Sequence, residues 1–203
     1  VELGYRRGSL RPTVVHIGPG VFHRAHQAVY ADDVLRTGSA AGAIWGVSLR
    51  SPSVRDALAP AGYLYHVLER GGDARRRTPP RPVGALLGID VAAGDPGPAL
   101  SRLVDPAVTV VTITVTEHGY CAVDPGGPLD TSRPEIVRDL VQPHAPRSLP
   151  GLLVEALDQR RAAGIAPFAV ASCDNLPRNG AAAGRVVTEL AEHRDSALAA
   201  WIR

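Results

Sequence analysis

No lysine occurs anywhere in the 203 residues; all 22 strongly basic side chains are arginine. A guanidinium stays charged near neutral pH and serves neither as a base nor as a Schiff-base amine. The chain therefore holds no phosphate-loop lysine, no Tyr/Lys catalytic pair and no pyridoxal site of its own. Cysteine is scarce too. Cys121 and Cys173 do not make a disulfide framework, so a reducing, cytoplasmic setting is expected. No apolar run approaches the roughly 20 residues that span a bilayer. Residues 1–20 carry Glu2, Arg6, Arg7 and Arg11 where a secretory leader would place an apolar block. Net charge is only +2 and the arginines are scattered, so neither nucleic acid nor a membrane is expected as a partner. What remains is globular: 45% hydrophobic, 21% charged, and long enough to bury a core without staples.

The apolar run Val14-Val15-His16-Ile17 stops at Gly18-Pro19-Gly20, which reads as a buried strand entering a tight turn. Helical spacing follows over residues 24–36, with Gly38 as a stop. A second strand is expected at 44–49 and a short helix from Ser51-Pro52 to Leu58. Residues 63–69 and 83–89 read as strands in a hairpin-like excursion around a polar loop at 71–82 that holds Arg75-Arg76-Arg77. Then come a helical stretch at 99–104, a Val/Thr/Ile-rich strand at 108–115, and helices at 134–141 and 149–163, the latter ended by Gly164. A strand at 168–172 and one long helix at 181–202 complete the order. The alternation implies an α/β fold, a Rossmann-type, mostly parallel sheet with helices on both faces, as one unit over 1–203. The last helix reaches Trp201-Ile202-Arg203 without a stop signal, so a further domain absent from this chain is expected.

Strand, Gly-x-Gly turn and helix in that order is the dinucleotide-binding arrangement. Gly18 permits the turn, Gly20 lets backbone approach a pyrophosphate, and the helix start at Val21, Phe22 and His23 supplies unpaired N–H groups. Arg24 is placed to reach phosphate oxygens. The third fingerprint glycine is absent, and small Ala25 and Ala28 stand in for close packing. A structural turn with a solvated Arg24 explains the same residues. At the end of the second strand the fingerprint expects a carboxylate; the sequence has Leu49-Arg50-Ser51-Pro52-Ser53 instead. Arg50 there suits a 2′-phosphate, or simply solvent.

Two strand ends are unusually polar: Thr116-Glu117-His118-Gly119-Tyr120 and Ser172-Cys173-Asp174-Asn175. An asparagine fixed at a strand end can donate its amide to a carbonyl or alkoxide oxygen, and a nearby glutamate can relay protons. Turn capping by Asp174, Asn175 and Asn179 is the plainer alternative. His23 and His26 are three residues apart on one helix, but no third ligand joins them, so no metal is expected.

The segments HIGPGVFHRAHQAVYADDVL, WGVSLRSPSVRDALAP, TVTEHGYC, GLLVEALDQRRAAGIAPFAVASCDNLPRNG and LAAWI together resemble the mannitol dehydrogenase family, the long-chain polyol dehydrogenases and fructuronate reductases. The resemblance covers nearly the whole chain, and GxGxFHRAH and SCDNLPxNG are its specific parts. It implies a zinc-independent oxidoreductase moving a hydride between NAD or NADP and a polyol, its ketose or a sugar acid. It places the glycine turn on Gly18, Gly20, Phe22 and Arg24, with Thr116 and Asn175 beside the cofactor. Asn175 would polarise the substrate oxygen and Glu117 would line the site. Pro52 and Ser53 replace the acidic residues of NAD-preferring members, and His118 and Arg178 replace the usual Lys and His. The family's general-base lysine belongs to a helical C-terminal domain, expected beyond residue 203. Two other readings stay open: a non-catalytic nucleotide-binding module, and another Gly-x-Gly user such as a methyltransferase.

Overall fold

The computed structural model describes residues 2–69 and 79–203. The expected Arg75–Arg77 loop lies outside them. Among the described residues, no helix is long and apolar enough to cross a membrane.

Five parallel strands form the main sheet: β1 (Val14–Ile17), β2 (Ile44–Ser48), β5 (Leu86–Val91), β6 (Val110–Ile113) and β7 (Ala169–Ser172), in the order β5-β2-β1-β6-β7. The chain builds outward from β1 through β2 to β5, then returns to lay β6 on the other side of β1. The order reverses between β1 and β6, where Val14 to Ile17 pair with Val110 to Ile113. A ligand crevice belongs at such a switch point, beyond the carboxyl ends of the strands. Helices α1 (Val21–Ala25), α2 (Gln27–Arg36), α3 (Ser53–Leu58), α4 (Gly97–Val104), α5 (Pro134–Val141), α6 (Leu149–Ala162), α7 (Asn179–Arg194) and α8 (Ser196–Ile202) cover the sheet.

Three expectations need correction. Residues 83–89 are not one strand. β4 (Arg81–Val83) pairs antiparallel with β3 (Tyr65–Val67), while β5 joins the main sheet beside β2. The break falls at Gly84, whose N–H is donated to the Asp32 carboxylate at 2.9 Å and whose carbonyl accepts from the Arg7 guanidinium. Those long-range bonds take the place of ladder bonds. The long helix at 181–202 is two helices: Asp195 turns extended (φ −164°, ψ 117°) and its carboxylate caps the Ala197 N–H. The first helix starts at Val21, with Gly20 as its N-cap, and breaks at His26.

Val15, Ile17, Val47, Val111 and Ile113 form the buried sheet face and pack against α4, α6 and α7. Ten residues of α6 are buried, nine of them in the unbroken run from Leu149 to Leu157. Its buried Glu155 accepts from His144, Gln159 and Arg194, and its buried Arg160 donates to the carbonyls of Leu103, Asp105 and Ala166. Each buried charge is thus hydrogen-bonded, as burial requires.

Candidate functional site

An open cleft of about 630 Å³ lies at the carboxyl ends of β1, β6 and β7, at the switch point. Its walls are the Gly18–Phe22 turn on one side and Thr114 to Thr116 with Cys173 to Asn175 on the other.

The turn is held from several directions. Gly18 has φ +92°, and a Cβ there would stand 2.1 Å from the Thr114 carbonyl oxygen. Its N–H donates to Val47 O at 2.9 Å, and its carbonyl accepts from the Gly20 N–H at 2.6 Å and from Thr114 Oγ1 at 2.7 Å. Gly20 is different. A Cβ there would meet nothing closer than 3.8 Å, so its backbone is open to a ligand's approach. The first turn of α1 leaves N–H groups without helical partners beside it, and Val21 and Phe22 are exposed at the cleft edge.

Not every residue assigned to the turn faces the cleft. His23 is fully buried, its ring stacked on that of His16 at 3.6 Å and 10°. Its ring lies in the helix–sheet contact behind the exposed edge, which leaves its backbone N–H, not its side chain, to face a ligand at the turn. Arg24 has one guanidinium nitrogen committed to the Pro19 carbonyl at 2.7 Å. It braces the turn, and the Tyr65 hydroxyl braces it in turn through Arg24 O at 2.8 Å.

Burial holds His16 down at about 4 and His23 at about 2, the latter helped by neighbouring His16 and Arg24. Both rings are neutral in the folded protein near neutral pH. His16 Nδ1 meets Thr112 Oγ1 at 2.7 Å and its Nε2 meets Thr114 Oγ1 at 2.8 Å, while His23 has no hydrogen-bond partner among the described residues. As pH falls below 6.5 the unfolded chain binds protons at both positions and the folded chain does not. Each ring then costs about 1.4 kcal/mol of stability per pH unit. Denaturant unfolding at pH 7 and pH 5 is expected to differ by several kcal/mol, on the order of 4 for the pair. Equal stability at the two pH values would refute the buried, neutral pair.

On the opposite wall, Asn175 is exposed and its side chain has no protein partner among the described residues. Thr116 also lines the cleft; Glu117, one residue on, is exposed and outside the lining set. Its charge nevertheless helps raise the Asp174 carboxyl, which burial raises first. Burial also pushes up the Cys173 thiol, whose sulfur accepts from Gln27 Nε2, and takes Cys121 to about 12. Neither thiol is prepared as a nucleophile.

Arg50 lies apart, in a second cavity of about 440 Å³ at the ends of β2 and β5, with Arg55, Asp90 and Asp95. A carboxylate missing from the end of β2 is therefore present, supplied by β5. Asp90 is engaged, however: it accepts from Trp45 Nε1 at 2.8 Å and pairs with Arg102 at 3.7 Å. Asp95 caps Gly97.

Sequence reasoning singled out neither Thr114 nor Tyr120. Thr114 supports Gly18 from 96 residues away, and Tyr120 reaches Asp174 from 54 away. No local spacing signals such partners.

The model of the mannitol dehydrogenase Rossmann domain matches residues 12–203. The chain is 43% identical to the uncharacterized oxidoreductase YeiQ of Escherichia coli K12, over 98% of this chain and 41% of that protein. It is 42% identical to mannitol 2-dehydrogenase of Cereibacter sphaeroides, over 98% and 42% respectively. The solved ternary complex of Pseudomonas fluorescens mannitol 2-dehydrogenase with NAD and D-mannitol superposes with a TM-score of 0.91 at 38% identity, over 98% of this chain and 41% of that one. The chain thus spans about two-fifths of the length of these relatives.

Proposed function

Because the chain belongs to the mannitol dehydrogenase family, we propose that residues 1–203 are the N-terminal dinucleotide-binding domain of an NAD(P)-dependent oxidoreductase. Its reaction moves a hydride between the nicotinamide and a polyol, the corresponding ketose, or a sugar acid. The observation that carries this reading is one cleft with an open glycine backbone at Gly20 on one wall and, on the other, the amide of Asn175, which has no partner among the described residues. That combination suits a phosphate-bearing cofactor beside a polarised substrate oxygen.

The fit to a dinucleotide rests on Gly18, where backbone fills the space of a side chain, and Gly20, where nothing does. Bound in the cleft, a nicotinamide cofactor supplies the hydride acceptor or donor. Gly18, Gly20 and the N–H groups of Val21 and Phe22 hold its pyrophosphate, and Thr116 borders it. Arg50 serves the adenosine end; Arg55, in the same cavity, is paired with Asp56 at 2.8 Å. Asn175 Nδ2 donates to the substrate's carbonyl or alkoxide oxygen, where charge develops during transfer. Glu117, exposed one residue beyond Thr116, relays protons towards solvent. With no lysine in the chain, the proton-exchanging base comes from a helical C-terminal domain outside these residues.

The experiment is isotope transfer by the whole protein. Reduced cofactor deuterated at nicotinamide C4 is incubated with D-fructose or D-fructuronate. Deuterium is expected on the carbinol carbon of the product. Oxidation of the cofactor without label in the sugar product, or no oxidation with either substrate, would overturn the assignment.

A further inference from the structure

Asn175 stands in the short connection between β7 and α7, and two side chains close that connection from either side. Asn179, the first residue of α7, donates its single amide nitrogen to two carbonyls, Ser172 O at 3.1 Å and Asp174 O at 2.9 Å. Tyr120, only 2% exposed, donates its hydroxyl to Asp174 Oδ2 at 2.5 Å and lies 2.6 Å from Ser172 Oγ. Residue 174 is therefore fixed through both its side chain and its carbonyl. The next side chain along, Asn175, has no bond to hold it among the described residues. Tyr120 also joins the two polar strand ends, since it follows Thr116 and Glu117 on the neighbouring segment.

We propose that Tyr120 and Asn179 are positioning residues for Asn175, holding its backbone so that the free amide points at one place in the cleft. This rests on the reading of Asn175 given above. Neither residue lines the cleft, so each acts through the connection and not on a ligand. The need is physical: an oxyanion donor works only if its direction is set before the reaction, and a displacement of about 1 Å costs on the order of 100-fold in rate.

The test uses Tyr120→Phe, which keeps the ring and removes only the hydroxyl, and Asn179→Ala as a second, independent variant. Two readouts are taken on the whole protein. Backbone ¹⁵N relaxation of Asn175 is expected to report an order parameter near ~0.85 in the parent and below ~0.6 in both variants. Oxidation of D-mannitol by NAD is expected to lose about 10-fold in kcat in each variant with the KM for NAD unchanged. In an Asn175→Ala background, Tyr120→Phe is expected to cost nothing further, because the residue it positions has gone. An unchanged order parameter in both variants overturns the proposal, and so does a full kcat loss that persists in the Asn175→Ala background. Loss of order with no change in kcat supports the positioning and overturns instead the catalytic reading of Asn175.

Discussion

Asn175→Ala is expected to lower kcat by about 10²–10³, or roughly 3–4 kcal/mol of transition-state stabilisation. The side chain is exposed and has no protein partner among the described residues, so its removal leaves nothing buried unsatisfied. Folding stability is therefore expected to stay within the range of a neutral surface change, about 0.5 kcal/mol, with little movement of the melting temperature. Cofactor affinity is expected to be nearly unchanged, because the proposed pyrophosphate contacts lie on the other wall of the cleft. Steady-state kinetics beside a melting curve separates these quantities. Asn175→Asp is expected to be worse than Asn175→Ala, since a carboxylate would oppose negative charge growing on the substrate oxygen. A kcat within twofold of the parent in Asn175→Ala would remove the residue from the mechanism.

Gly18→Ala and Gly20→Ala are expected to behave as opposites. At position 18 the new methyl meets the Thr114 carbonyl at 2.1 Å, and the backbone sits at φ +92°, where side chains are rarely accommodated. The positive φ alone costs about 1–3 kcal/mol. The clash adds to that, because Thr114 is backbone tied to β1 through its N–H bond to Ile17 O at 2.9 Å. Gly18→Ala is expected to lose about 3 kcal/mol or more of folding stability together with cofactor binding. At position 20 the backbone has φ −73° and the space is clear. Gly20→Ala is expected to fold with near-parental stability, within about 0.5 kcal/mol, yet to bind cofactor at least about tenfold more weakly because the methyl fills the line of approach. Denaturant curves and cofactor titrations of the two variants check both halves. A Gly18→Ala protein as stable as its parent would show that the turn is not what holds the cleft.

Much of this was legible in the sequence because the signal was local. β1 runs over the expected residues, α5 does too, and α6 ends at Ala162, just before Gly164, where φ is +67°. The turn at Gly18 and the polar end of β7 were visible for the same reason: residue type and position along the chain carry them. The misreadings share a different cause. Gly84 separates β4 from β5 through a bond to Asp32, far away in sequence. Asp195 interrupts an otherwise continuous helical pattern by capping the Ala197 N–H two residues on; a capping residue in mid-run was the available sign. The burial of the His23 ring was not legible, because motif spacing says nothing of burial, and only the packed fold stacks it on His16. The Arg24 bond to Pro19 O closes over a bent turn that spacing does not describe, and it leaves the other guanidinium nitrogens without a partner among the described residues. Asp90 enters the Arg50 cavity from another strand, so no reading of β2 alone reveals it.

The central claim is that the Gly18–Phe22 turn and its facing wall bind a nicotinamide dinucleotide. The most direct measurement is a fluorescence titration of the protein with NADH and, separately, NADPH. Saturable binding is predicted for both, with NADPH at least as tight as NADH, since Arg50 borders the proposed adenosine end and the Asp90 carboxylate in the same cavity is engaged by Trp45 and Arg102. Binding of neither cofactor would contradict the account of the cleft, and exclusive binding of NADH would contradict the role given to Arg50.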